Sequence, residues 1–210
     1  MAGERILVIG GPCAGKSTAW IHIAALCHKL KKDIKFYVLD SDNCAEEQSD
    51  GLPNVIAKVP ECWEDYRNHL DVFVNKVRPQ DWLIVDMMDT PWDMVQRWYV
   101  ERILKKSLED LQIEYRERLA KEGKKQGNAL FSHMGSINPQ YFAWSNKFLP
   151  RNPCNVLCTA PVTVVSDDGM FKDDAATLSI FLPCGVKHKG QSKLAHTFNS
   201  ILLLAQPKMF

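Results

Sequence analysis

Residues 10–17 read Gly-Gly-Pro-Cys-Ala-Gly-Lys-Ser and satisfy the pattern G-x-x-x-x-G-K-[ST], with a second hydroxyl directly after it at Thr18. Glycines in such a loop let the backbone fold tightly, so that its N–H groups point inward and hold phosphate oxygens. The lysine reaches the β- and γ-phosphates, and the hydroxyl of the last residue binds Mg²⁺. We therefore predict that ATP and Mg²⁺ bind here, with Lys16 also catalytic and with contacts from Gly10, Gly11, Pro12, Cys13, Ala14, Gly15, Lys16, Ser17 and Thr18.

A carboxylate across the Mg²⁺ is the second requirement of such a phosphate loop, or P-loop. Asp86 meets it, because it directly follows the apolar run 82–85 and so ends a predicted buried strand. We predict that Asp86 is catalytic and that it holds the metal together with Ser17, through a metal-bound water. Further acids follow predicted strands, and the pattern leaves open whether they lie near the site or are ordinary turn residues: Asp40, Asp42 and Asp89.

Hydrolysis also needs a group that orients or activates water. Many P-loop enzymes carry a glutamate directly after the strand-ending aspartate, but Met87 stands at that position here. The activating group must therefore come from another element. Thr159, at the end of a later apolar run, is placed like a polar sensor that couples the γ-phosphate to the loop after it.

Apolar runs that alternate with amphipathic segments must position these residues. Strands are predicted at 5–9, 35–39, 54–59, 81–85, 155–160 and 198–204. Helices are predicted at 17–32, 60–77, 90–125 and 136–149, and residues 162–193 form a long, weakly patterned stretch. Strands that alternate with helices indicate an α/β fold, with a mostly parallel sheet sandwiched by helices.

The 210 residues suit a single P-loop NTPase domain over 1–210, with a charged helical insert at about 92–135. The insert is either a solvated helix with charge pairs four residues apart or an arm that binds a partner. Residues 123–135 read as a flexible connection between this helix and the next one.

Bulk composition bounds the partners and the compartment. The net charge is +1, so a nucleic-acid contact would have to come from a local basic patch. The seven cysteines are an odd number, and no signal peptide is apparent, which favours free thiols in a reducing compartment. No apolar run approaches the roughly 20 residues of a membrane helix. We expect a cytoplasmic protein without a membrane partner.

With these features the chain resembles the RecA-like core ATPases, and most closely their minimal phage-encoded members, which act in DNA recombination and single-strand annealing. The resemblance rests on the P-loop at 10–17, the acid at 86, the fifth strand with its long following loop, and the tail Lys-His-Lys-Gly-Gln-Ser-Lys at 187–193. It implies that the water-activating acid follows the third strand, at Glu61 or Glu64. The alternative for both is a first-turn acid that serves the helix dipole.

The resemblance also implies a lysine pair that reaches across a subunit interface to the neighbour's γ-phosphate. Lys187 and Lys189 match this pair best, and Lys193 is a third candidate; the alternative is a solvated basic hairpin. The implied function is a Mg²⁺-dependent ATPase that forms a homo-oligomer and acts on DNA, in particular single-stranded DNA, within the host cytoplasm if phage-encoded. Loops after the fourth and fifth strands would contact DNA, but the second of them carries acids that oppose phosphate binding: Asp167, Asp168, Asp173 and Asp174.

Other functions remain open from the sequence. A small P-loop kinase would need an arginine-rich lid, for which the candidates are Arg97, Arg102, Arg116 and Arg118. A DNA-packaging or translocating motor is disfavoured by Met87. A nucleotide-binding module without turnover is compatible with the missing glutamate.

Overall fold

The computed structural model describes residues 3–43, 48–123, 129–150, 152–167 and 172–205. Each strand predicted from the sequence is present, and β6 has no counterpart among the predicted strands. The strands are β1 (Arg5–Gly10), β2 (Phe36–Asp40), β3 (Val55–Lys58), β4 (Trp82–Asp86), β5 (Asn155–Val164), β6 (Val186–His188) and β7 (Ser200–Leu204).

These strands form one sheet in the order β3-β2-β4-β5-β1-β7, and β6 pairs with β5 off this path. Neighbours along the path are parallel, whereas β6 runs antiparallel to β5. A parallel strand covered on both faces reads as a continuous apolar run, and β2 is buried along its whole length for this reason. The predicted α/β fold with a mostly parallel sheet flanked by helices is confirmed.

Helices lie on both faces of the sheet. They are α1 (Lys16–Lys29), α2 (Trp63–Val74), α3 (Asp89–Tyr99), α4 (Leu108–Lys121), α5 (Met134–Ser145) and α6 (Ala175–Phe181). On one face, α1 buries Trp20 and Ala24 against Val8 and Ile84 of the sheet. The opposite face carries the larger cluster, to which α2, α3 and α5 contribute. None of the described helices combines the length and the apolar character needed to cross a membrane.

The single helix predicted over 90–125 is wrong. α3 continues into a π-helical turn at Val100–Leu104, and this helical segment ends at Lys105, whose φ of 57° lies in the left-handed region. α4 then starts anew, because the Ser107 side chain accepts a hydrogen bond from the N–H of Asp110 and caps its N-terminus. Two neighbouring elements therefore occupy a segment whose helical periodicity looked continuous.

The predicted charged insert at 92–135 is not a surface addition along its whole length. Val95 and Val100 are fully buried, and Trp92 packs edge-on against Tyr141 with ring centroids 5.2 Å apart. The outward part is α4, where only Leu119 is buried. Of the connection predicted at 123–135, residues 124–128 lie outside the described part of the chain, and Phe131–His133 form a 3-10 turn that leads into α5.

The weakly patterned stretch 162–193 contains regular structure. β5 continues four residues beyond its predicted end because its last part pairs with β6. α6 precedes β6, and the side chain of Asp174 caps α6 by accepting from the N–H of Thr177 at 2.7 Å.

Arg5, on the first strand, is a buried charge that is 5% exposed. Its guanidinium donates to five main-chain carbonyl oxygens, two of them from the residues before β1 and three from the segment between α5 and β5: those of Gly3, Glu4, Leu149, Asn152 and Cys154. Hydrogen bonds from a charged donor to buried carbonyls are strong, and their loss leaves those carbonyls unsatisfied. Arg5 therefore ties the N-terminal strand to the loop between α5 and β5.

We expect Arg5→Met to lower the free energy of unfolding by about 3 kcal/mol, because buried carbonyl acceptors lose their charged donor. Urea denaturation followed by circular dichroism measures this change. The matched control is Arg116→Met, which alters an exposed arginine and should change stability by less than about 0.5 kcal/mol. Equal stability of the two variants would show that the Arg5 contacts do not hold the fold.

Candidate nucleotide-binding site

The P-loop (residues 10–17) joins the end of β1 to the start of α1. Gly15 has a φ of 87°, in the left-handed region that favours glycine. A Cβ on Gly10 would lie 3.0 Å from the carbonyl oxygen of Leu204 and 3.1 Å from the Ala14 Cβ. Both glycines of the sequence pattern are therefore required by the local backbone.

The N-terminus of α1 points into the turn of this loop. No side chain caps it, and its first turn carries no acidic residue. The first N–H groups of any helix lack intrahelical acceptors and form the positive end of its dipole. Lys16 is buried in the same turn, where its Nζ donates to the carbonyl oxygens of Gly10 at 3.2 Å and Gly11 at 2.9 Å. Free donors and a cation thus converge on one point, an arrangement that suits an anion.

A cavity of about 440 Å³, here called the P-loop cavity, opens at this point. Its volume lies in the range of small-molecule sites. Its walls include most of the predicted nucleotide contacts, together with three other parts of the chain: Pro12, Cys13, Ala14, Gly15, Lys16, Ser17, Thr18, Asp42, Gln48, Met87 and Pro161. Gly10 and Gly11 instead form the base of the loop.

Asp86 ends β4 and is 2% exposed. Thr159 donates from its hydroxyl to Asp86 Oδ1, and the Nε1–H of Trp20 donates to Oδ2 at 2.9 Å. Thr159 also accepts from the N–H of Met87 at 3.1 Å. Because β5 lies between β1 and β4, Asp86 stands two strand spacings, roughly 10 Å, from the start of the P-loop.

Further hydrogen bonds stabilise the end of β4. Ser41 donates from its hydroxyl to the carbonyl oxygen of Asp86 at 2.8 Å, and the same hydroxyl is hydrogen-bonded to the Tyr66 hydroxyl. Burial raises the pKa of Tyr66 well above its ordinary value, so this phenol stays a neutral hydrogen-bonding group. Met87, the next residue, adopts a φ of 79°, which costs energy for a residue other than glycine. The turn after Asp86 is therefore held by its surroundings.

Asp42, in the turn after β2, is an acid that lines the P-loop cavity. Partial burial raises its pKa, and the charges of Asp86 and Asp89 raise it further, while Lys16 acts in the opposite direction. These effects on Asp42 indicate that it lies near the carboxylates of Asp86 and Asp89 and near the buried lysine. The sequence left open whether Asp42 lies near the site or is an ordinary turn residue, and the structure places it at the wall of the P-loop cavity.

Glu61 and Glu64, the predicted water-activating acids, are not brought to the P-loop. They line a separate cavity of about 210 Å³ with Trp63, Met94 and Trp98. Glu64 accepts from the Trp98 Nε1–H at 2.6 Å. The cause is the strand order, since β3 is an edge strand four spacings, roughly 19 Å, from β1. An acid that follows β3 therefore starts far from the loop.

The three tail lysines have different surroundings. Lys187 forms an ion pair with Asp173, in which both side chains are largely buried. Lys189 is more exposed and pairs with Asp89 at 3.1 Å. This contact raises the pKa of Lys189. Lys193 is exposed and forms no ion pair within the part of the chain that is described. Two of the lysines predicted to act across an interface are thus engaged within their own chain.

The oxygen atoms at this site suit a Mg²⁺ ion held jointly by the protein and a bound phosphate, rather than one coordinated by protein ligands alone. Among the described residues, no group of three or more His, Cys, Asp or Glu side chains could hold a metal ion. Mg²⁺ usually keeps several waters and takes one or two protein oxygens plus substrate phosphates. Ser17 lines the cavity, whereas Asp86 is buried and immediately precedes the wall residue Met87; these two side chains could supply such ligands, directly or through water.

A larger cavity of about 560 Å³ lies on the β2–β3 side, lined among others by Asp40, Lys58 and His69. No residue of the P-loop lines this larger cavity.

No protein-family model matches the chain, and no curated protein matches it.

The sequence did not point to Trp20, which reads there as one more apolar residue of the first helix. A usable signal existed, because Trp20 follows Lys16 by four positions and so shares its face of α1. For Asp42 the signal was its position just after β2. In the structure β2 pairs with β4, and the register places Asp40 beside Asp86.

Proposed function

We propose that this chain binds a nucleoside triphosphate, with ATP as the default, and hydrolyses it with Mg²⁺. The observation that carries the proposal is the uncapped N-terminus of α1 with buried Lys16, facing a cavity whose opposite wall holds Asp42 and Met87. In such an arrangement main-chain N–H groups and a lysine neutralise phosphate charge, while carboxylates across the cavity hold metal and water.

The residues divide the work in a way that follows from their positions. The P-loop N–H groups and Lys16 bind the β- and γ-phosphate oxygens. On binding, the Lys16 ammonium group leaves the carbonyl oxygens of Gly10 and Gly11 and contacts phosphate instead. Ser17 and Asp86 would hold Mg²⁺, directly or through its waters, and the metal would supply positive charge that offsets the charge of the phosphates. Asp42 accepts a proton from a water whose oxygen attacks the γ-phosphorus. The bond from that phosphorus to the β–γ bridging oxygen breaks, and ADP and phosphate are released.

The kinase alternative finds less support. A lid would have to bring arginines over the phosphates, but none of the four candidate arginines lines the P-loop cavity in the described part of the chain. Arg97 pairs with Glu109 at 3.0 Å, and Arg118 lies over the ring of Tyr115. Both are occupied on the outward side of the molecule.

We further propose that turnover serves an assembly that acts on single-stranded DNA, as the resemblance to the RecA-like ATPases implies. Two observations support this second step. The edge strand β7 leaves Leu202 50% and Leu203 40% exposed, and uncovered apolar edges of this kind promote association. The acidity after β5 is partly internal, since Asp173 is paired with Lys187 and Asp174 caps α6.

Lys16→Ala tests the nucleotide site itself. We expect ATP affinity in the presence of Mg²⁺ to fall about 10- to 100-fold, because a charge-assisted contact to phosphate contributes about 1.5–3 kcal/mol. Equilibrium titration with a fluorescent ATP analogue measures this. Lys121→Ala removes an exposed lysine of α4 and serves as the control. Unchanged affinity in the Lys16 variant would exclude the P-loop as the binding site.

Asp42→Asn tests the water-activating residue. We expect turnover to fall about 100-fold with little loss of ATP affinity, whereas Glu61→Gln and Glu64→Gln should retain turnover. The raised pKa of Asp42 adds a pH signature. As pH falls through that value, Asp42 gains a proton and can no longer accept one, so wild-type turnover should decline at a pH above the ordinary aspartate range.

Phosphate release measured across acidic pH for the four proteins decides between these acids. Loss of turnover in Glu61→Gln or Glu64→Gln, with Asp42→Asn unaffected, would contradict the role of Asp42 and support the water-activating acid predicted from the sequence.

The DNA proposal predicts that ATP turnover rises several-fold when single-stranded DNA is added, and that the protein with ATP is larger than a monomer. Phosphate-release assays and light scattering on the same samples measure both. A monomer in the presence of ATP whose turnover ignores DNA would contradict this step while leaving the ATPase proposal intact.

A further inference from the structure

Among the described residues, Trp20 and Thr159 donate side-chain hydrogen bonds to the Asp86 carboxylate, and Trp20 lies on α1, the helix that carries the P-loop lysine. It is fully buried in the cluster between α1 and the sheet. Its indole Nε1–H donates to Asp86 Oδ2 at 2.9 Å, a normal distance for a charge-assisted hydrogen bond. The indole thus spans from α1 to the end of β4, over the intervening strand β5.

The two donors to Asp86 fix how its carboxylate is turned. Each oxygen has about two lone-pair positions. Thr159, from β5, occupies one position on Oδ1, and Trp20, from α1, occupies one on Oδ2. With one donor on each oxygen and from different elements, the carboxylate plane cannot rotate without breaking a buried hydrogen bond. Within the described part of the chain, the second lone-pair position on each oxygen receives no side-chain donor.

We infer that Trp20 is a positioning residue for the metal site, in that its indole N–H orients Asp86 toward the Mg²⁺ that accompanies the nucleotide. This inference rests on the proposed nucleotide function. Trp20 and Lys16 lie four residues apart on one face of α1, so the helix that holds the phosphate-binding lysine also orients the metal-binding acid. Partners of metal ligands that act in this way typically change metal affinity 10- to 100-fold when removed.

A purely structural role is the competing explanation, because any buried indole needs an acceptor for its N–H. Trp144 is such a case: it is 2% exposed, and its Nε1–H donates to the main-chain oxygen of Tyr66 at 3.2 Å. Trp144→Phe removes the same ring and the same kind of donor away from the Asp86 carboxylate. It is therefore the matched control for Trp20→Phe.

The experiment measures the affinity of a non-hydrolysable ATP analogue by equilibrium titration, once in EDTA and once across a Mg²⁺ series, for the wild type and the two variants. The ratio of the affinities with and without Mg²⁺ isolates the metal contribution. We expect all three proteins to bind equally in EDTA. We expect the Mg²⁺-dependent gain to fall about 10-fold in Trp20→Phe alone, with a correspondingly higher half-saturating Mg²⁺ concentration.

A full Mg²⁺ gain in Trp20→Phe, or an equal loss in Trp144→Phe, overturns the positioning role while the proposed function stands. A wild type that binds no nucleotide overturns both. If Trp20→Phe does not fold, benzothienylalanine at position 20, introduced by suppression of a stop codon, replaces the N–H by sulfur and keeps the ring size. It should show the same selective loss of the Mg²⁺ gain, and a normal gain in that protein also overturns the role.

Discussion

The constraint on which the site depends is the buried carboxylate of Asp86, because a charged group withdrawn from water must be met by hydrogen-bond donors. Its donors come from Thr159 on β5 and Trp20 on α1. The Asp86 side chain therefore links β4 to its neighbouring strand β5 and to α1, the helix that follows the P-loop. The next residue, Met87, lines the P-loop cavity.

Electrostatics around this carboxylate favour a cation. Asp42, Asp86 and Asp89 lie close enough for the last two to raise the pKa of the first. Lys16 acts on the pKa of Asp42 in the opposite direction, and Lys189 is paired with Asp89. A divalent metal would relieve the remaining repulsion and a triphosphate would balance Lys16, so the charges of the site support the proposal of Mg²⁺ together with a nucleotide rather than either alone.

The sequence predicted what is encoded locally and missed what depends on strand order. Apolar runs predicted the strands, and the P-loop could be read because its residues are contiguous between one strand and one helix. The placement of Glu61 was not legible, since only the order β3-β2-β4-β5-β1 reveals that β3 is remote from the loop and β2 is nearer. The break at Lys105 is a left-handed backbone conformation at a residue whose type does not predict it. The Trp20 contact was missed because tryptophan is mainly apolar, although its indole N–H is a hydrogen-bond donor. The coupling of Lys187 to Asp173 likewise joins residues whose pairing no local pattern reveals.

Amide hydrogen exchange, with and without ATP and Mg²⁺, tests the central claim most directly, because it reports which main-chain N–H groups the ligand covers. The account predicts slower exchange in residues 11–18 and at the turn after β4 on addition of both, with the region around Glu61 unchanged. Unaltered exchange in the loop, or protection confined to the cavity between β2 and β3, would contradict it.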